Sequence, residues 1–226
     1  MEYEYFYYYT TAINANSIIL AGAIPPSLGV AGDYVPHGDG VYLTTLSPSY
    51  GRGVITYHTQ GAPAEGLVQP IEVYIEISLP SNLITRPADL RNIQLYNGSL
   101  QLSGSHWSLR SFSGVLLATE YLRVTSVGGA AVSKSDMLGR FKLMRNVVTQ
   151  GHGFVYELEE GGSYLYKSSE GAWVIGKIAG GDDADLCQLL ETDPLERVWL
   201  YKFRPGEWRE DLTITLIPCY PMSRSC

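Results

Sequence analysis

The chain has 226 residues, 45% of them hydrophobic and only 17% charged, with 24 glycines and 12 prolines. That length allows one or two domains with a core that needs no staples. The formal charge of −7 argues against a nucleic-acid partner, because phosphate contacts need clustered Lys and Arg. Sparse charge beside abundant Gly, Pro and aromatics points to many short strands rather than to a helical bundle.

Tyr3 to Tyr9 is almost wholly aromatic and reads as a strand buried on both faces. The start, MEYEYFYYYTT, carries acids and no basic residue, which speaks against a signal peptide, and the longest apolar run, around Ile18 to Pro26, is too short to span a bilayer. The expectation is a cytoplasmic protein with no membrane partner. Thr10 or Thr11 can cap a helix in which Ala12, Ala15, Ile18 and Ile19 recur at helical spacing, and Gly22 fits a left-handed stop before Pro25 and Pro26. Residues 29–40 read as loop, Val41 to Leu43 as a short strand, and Gly51 to Gly66 as an exposed excursion without periodicity. Ile71 to Leu79 alternates as a half-buried strand, with Glu72, Tyr74, Glu76 and Ser78 on its polar face. Asn97-Gly98 predicts a hairpin within Arg91 to Leu102.

A seam follows near Gly104 to Gly114. Beyond it come short strands at sandwich or barrel spacing: Leu122–Val127, Arg140–Met144, Phe154–Leu158, Tyr164–Lys167, Trp173–Lys177, Val198–Phe203 and Leu212–Ile217. A short helix is expected between Ala184 and Leu190. Trp173, Trp199 and Trp208 are expected to build the core of this part. The chain thus reads as α+β over residues 1–104 and all-β over residues 115–220. Cys187, Cys219 and Cys226 are too few and too irregular for a disulfide framework or a zinc site and read as free thiols. The acidic run from Gly180 to Asp185 lacks the glycine and distal Glu of an EF-hand and reads as a polar turn, so no metal is expected.

Three blocks occur in order: YYYTT (Tyr7–Thr11), NSIILAGAIPPS (Asn16–Ser27) and GDGVYLTTLSP (Gly38–Pro48). From about Tyr5 to Ser103 the chain resembles the polymorphic-toxin branch of the ADP-ribosyltransferases that is named for a His-Tyr-Asp signature. The resemblance implies a split β-sheet holding NAD as substrate in a cleft between two sheets, and a mono-ADP-ribosyltransferase or NAD glycohydrolase activity. It implies that the signature tyrosine, here Tyr42, stacks on the nicotinamide, with Thr10, Ser27 and Gly40 helping to hold NAD. The signature histidine falls on Tyr8 and the signature acid on Gln101. A phenol can still hydrogen-bond a ribose, whereas a carboxamide cannot stabilise a ribosyl cation by charge. Two functions therefore stand: an enzyme acting on NAD, with a protein among the conceivable acceptors, and an inactive module that binds a protein or nucleotide. A C-terminal stretch, SYLYKSSEGAWVIGK, resembles a Trp/Tyr-rich β-module appended to such domains.

Glu72, Glu76, Asp33 and Asp39 are the acids able to stand in for the missing one; each also reads as a solvated strand face or turn former. His37 and His58, in expected loops, read as surface residues.

Overall fold

The computed structural model describes residues 2–28, 38–60, 70–88, 92–148, 153–181, 183–189 and 198–219. The protein is mostly β and divides into two compact units, Met1–Ala118 and Thr119–Cys226. The break lies beyond the expected seam, because Gly104 to Gly114 contains a strand of the first sheet.

In the first unit the elements are β1 (Tyr3–Thr10), α1 (Ala12–Ala21), β2 (Ala23–Ile24), β3 (Gly40–Thr44), α2 (Arg52–Gln60), β4 (Val73–Pro80), β5 (Ile84–Thr85), β6 (Ile93–Asn97), β7 (Leu100–Gln101), β8 (His106–Ser111) and β9 (Leu116–Thr119). Seven of the strands form a sheet in the order β5-β6-β3-β1-β4-β8-β9, and β2 pairs with β7 in a separate ribbon. Thr11 caps α1 as expected, its hydroxyl accepting the Asn14 N–H, and Gly22 ends the helix at φ 76°. α1 buries Ala15, Ile18 and Ile19 and packs against β4.

Four expectations fail here for identifiable reasons. Residues 52–60 of the supposed excursion are α2, a helix in which Ile55 is buried while Val54 and Tyr57 stay exposed, so no apolar stripe shows in the sequence. The Asn97-Gly98 turn exists, with Gly98 at φ 78°, but the flanking strands do not pair with each other. β6 joins β3 and β5, whereas β7 leaves for β2. Next, β1 is covered on one face along its length and on the other only toward Tyr9, which packs beside Leu46, Ile55 and Ile71. Phe6 is fully buried, while Tyr3 and Tyr5 on the other face are 53% and 60% exposed. β4 departs the opposite way: as an inner strand it buries Tyr74 and Ser78 as well as Val73, Ile75, Ile77 and Leu79.

The second unit contains β10 (Tyr121–Thr125), α3 (Gly129–Ser133), β11 (Gly139–Val148), β12 (Phe154–Leu158), β13 (Tyr164–Lys167), β14 (Trp173–Gly176), β15 (Ala184–Gln188), β16 (Trp199–Arg204), β17 (Glu207–Asp211) and β18 (Thr215–Cys219). β10 to β17 run as a meander, and β18 returns to the far side of β10. β17 and β18 therefore occupy opposite edges of a nine-stranded sheet, yet only Leu212, Thr213 and Ile214 separate them. Four residue steps reach at most about 14 Å. A flat sheet of this size would hold its edges about 38 Å apart. The sheet is consequently curled and barrel-like, around a core that includes Phe141, Tyr156, Leu165, Ile175, Leu186 and Trp199.

The helix expected at Ala184–Leu190 is instead β15 over its first five residues, because Leu186 pairs with Ile175 on one side and Tyr201 on the other. β17 was not expected at all. Its charged sequence becomes a strand by hairpin pairing with β16 across a turn whose Gly206 has φ 79°. Trp173 and Trp199 are buried as expected, but Trp208 on β17 is 38% exposed. Cys219 is disulfide-bonded, contrary to its reading as a free thiol; Cys226 lies outside the described residues. Cys187 is free. No described helix is long and apolar enough to cross a membrane.

Candidate functional site

Strand parity decides which of the expected site residues can share a ligand. Tyr7 pairs with Thr44 across β1 and β3. Side chains alternate along a strand, so Tyr9 and Tyr42 stand in register on the face that carries Tyr7 and Thr44, while Tyr8 falls with Leu43 on the other. Tyr8 and Tyr42 are thus on opposite faces of the sheet. Tyr8 lies against Ile75 of β4, and burial raises its phenol above the ordinary range. Thr10, on the Tyr8 face, is buried opposite Val73. In the row of Tyr8 and Leu43, Gln94 is buried and its Oε1 has no hydrogen-bond partner.

Tyr42 is half-buried, and its hydroxyl donates to the Gly38 carbonyl at 2.8 Å. Ser27 and Gly40 meet directly: the Ser27 N–H donates to the Gly40 carbonyl at 2.8 Å and the Gly40 N–H to the Ser27 carbonyl at 3.1 Å. Gln101 is on β7, exposed and opposite Ala23, with Nε2 donating to Ser99 Oγ at 3.4 Å. Ala23 and Ser99 belong to a cavity of about 290 Å³ whose other walls are Ser17, Ile18, Ala21 and Pro25. The structure therefore groups Gly40, Ser27 and Tyr42, puts Tyr8 on the opposite face of the sheet, and carries Gln101 on the separate β2-β7 ribbon.

Of the candidate acids, Glu72 accepts the Ala12 N–H at 2.7 Å at the start of α1, a structural role. Asp39 precedes β3, and Asp33 lies outside the described residues, as does His37. His58 is exposed on the last turn of α2. Glu76 shares the face of Tyr42, two strands away, in the row Thr44–Tyr7–Glu76–Ser108. The neighbouring row reads Tyr42–Tyr9–Tyr74–Arg110. Here the sequence reading overlooked a cluster: Tyr7, Tyr9 and Tyr74 stand with ring centroids 5.7 to 6.3 Å apart. The signal was present in the odd-numbered tyrosines at 3, 5, 7 and 9, a period of two hidden by Phe6 and Tyr8.

The polar end of the cluster is interlocked. Ser108 Oγ donates to Glu76 Oε2 at 3.4 Å. Arg110 Nε donates to Ser108 Oγ at 3.1 Å and lies 3.4 Å from Glu76 Oε2, while its Nη1 donates to the Gly114 carbonyl. Tyr9 donates its hydroxyl to the Leu46 carbonyl at 2.9 Å and packs beside the Leu46, Ile55 and Ile71 cluster. Burial, reinforced by the Glu76 carboxylate and Tyr74, raises the Tyr7 phenol. Burial likewise pushes Tyr9 far up and raises Tyr74, against an opposing pull from Arg110. All three phenols stay neutral at physiological pH. The face offers uncharged rings and hydroxyls, with no phenolate to act as nucleophile or base.

The second unit carries a surface groove of about 430 Å³ lined by Lys142, Met144, Glu157, Glu159 and Gly161 among others. In the acidic run, Asp183 pairs with Lys202 and Asp185 with Lys134. Among the described residues no cluster of His, Cys, Asp or Glu could hold a metal ion. Compared with known proteins, the chain matches no family model, no curated protein and no solved structure.

Proposed function

We propose that the N-terminal unit is an ADP-ribosyltransferase-like module that binds a nucleotide of the NAD type at Tyr42 without turning it over. The family part of this reading rests on the three sequence blocks, of which Gly38–Pro48 is the most nearly intact. The loss of turnover rests on one observation: the residue in the histidine position, Tyr8, stands on the sheet face opposite Tyr42. A group behind the sheet cannot hold the ribose of a nicotinamide stacked in front of it. Gln101 adds to the loss, because replacing a charge that stabilises the developing cation costs about 3–4 kcal/mol.

A second reading, an NAD-dependent mono-ADP-ribosyltransferase or NAD glycohydrolase, is favoured by Glu76, a carboxylate on Tyr42's own face. Against it, that carboxylate is already engaged by Ser108 and Arg110. Calorimetric titration with NAD, paired with mass-spectrometric detection of released nicotinamide, separates the two. Binding without release, weakened about tenfold or more by Tyr42→Ala, is the expected result. Release that disappears in both Tyr42→Ala and Glu76→Gln would overturn the proposal in favour of the enzyme.

A further inference from the structure

β1 places Tyr3, Tyr5, Tyr7 and Tyr9 along one face, about 6.6–6.8 Å apart. Tyr9 is closed off by its bond to Leu46 and by Phe112, so the open part of the row is Tyr3, Tyr5 and half-buried Tyr7. Exposures of 53% and 60% for Tyr3 and Tyr5 on neighbouring positions of one strand form a continuous aromatic strip rather than scattered rings. We propose that this strip is a docking surface for a linear, uncharged polysaccharide, its sugar rings lying flat on Tyr3, Tyr5 and Tyr7.

Three observations select that occupant. The rings are all tyrosines, so each stacking face ends in a hydroxyl able to exchange hydrogen bonds with sugar hydroxyls. Beside the strip, the Glu76 charge is cancelled by Arg110 at 3.4 Å, so the face presents no net charge from this pair. A polyanion would meet a chain of formal charge −7 and a strip without basic side chains. The strip runs away from Tyr42, and its test involves no nucleotide, so it stands or falls independently of the NAD reading.

Native affinity electrophoresis of the full chain in gels containing a linear mixed-linkage β-glucan, glucomannan or pullulan tests the proposal, with poly(dT) and heparin as polyanionic counterparts. At least one neutral polysaccharide should retard the protein, and Tyr3→Ala with Tyr5→Ala should weaken that retention about tenfold or more. Ile13→Ala, which removes a 78% exposed side chain from α1, should leave it unchanged. A readout that needs no variant is tetranitromethane nitration of the unmodified protein: the retarding polysaccharide should protect Tyr3 and Tyr5. No retardation by any of the three, retention unaltered by the double substitution, absence of protection, or retardation by the polyanions alone would each overturn it.

Discussion

A methyl group added at Gly40 would sit 2.6 Å from both Leu95 Cδ1 and the Tyr96 carbonyl oxygen. The Leu95 side chain can turn aside, but the carbonyl belongs to the backbone of β6, which is hydrogen-bonded to β3. Gly40→Ala should therefore cost about 1–3 kcal/mol and lower the melting temperature of the first unit by several degrees, measured by differential scanning calorimetry; an unchanged transition would refute the close approach. The sequence marks Gly40 only through the family resemblance; the close approach of β6, which by itself requires a glycine, comes from a partner strand and leaves no local signal. Tyr8 was beyond reach for a different reason. Whether it faces Tyr42 depends on the register between β1 and β3, which no local pattern in either strand specifies. Tyr42 itself was legible because glycine, β-branched and aromatic residues in GDGVYLTT suit a strand that starts tightly beside another backbone.

At the scale of elements, signals carried within one segment were readable and signals supplied by a partner were not. Thr11, the spaced Ile18 and Ile19, and Gly22 specify α1 from inside it. β15 and β17 exist because β14 and β16 lie beside them. The turn after β10 is a similar case, since it is held from the far edge of the sheet. Asp211, at the end of β17, accepts the Ser126 hydroxyl and the Ala130 N–H at 2.8 Å through one oxygen, and the Thr213 N–H and hydroxyl through the other. Burial alone would raise this carboxyl, but the bonds from Thr213, Ala130 and Ser126 outweigh it and hold the group below its ordinary value. A depressed folded value means the contribution is complete above about pH 4, the unfolded range, and is lost as pH falls through the folded value. Urea midpoints of the second unit should accordingly drop below pH 4, with a shallower drop for Asp211→Asn. Asp211→Ala should cost about 2–4 kcal/mol at neutral pH, because four donors lose a charged acceptor together. A loss under about half a kcal/mol, or an identical pH profile for the Asn variant, would show that the clasp carries no weight.

For the molecule as a whole, the predominance of strands could be read from composition, although the second part, expected to be all-β, also holds α3; the position of the break could not, because Ser and Gly around residue 104 flank β8 instead of a linker. The cysteines were misread for a related reason: spacing says nothing about which thiols the fold brings together. With three cysteines in the chain, one disulfide leaves a single thiol, Cys187, which burial pushes up. Titration of the non-reduced, denatured protein with a thiol reagent should give one group per chain, and three after reduction; three without reduction would refute the disulfide. The curled sheet has a consequence in time as well as in space. Thr125 and Thr215, whose hydroxyls meet at 2.7 Å where β10 joins β18, are 90 residues apart in the chain. The meander can assemble hairpin by hairpin as it leaves the ribosome, but its closure must wait for the last strand, and such long-range pairing is slow. Throughout that interval β10 presents a bare edge, so the nascent chain is at its most vulnerable to pairing with its own copies just before synthesis of the second unit is complete.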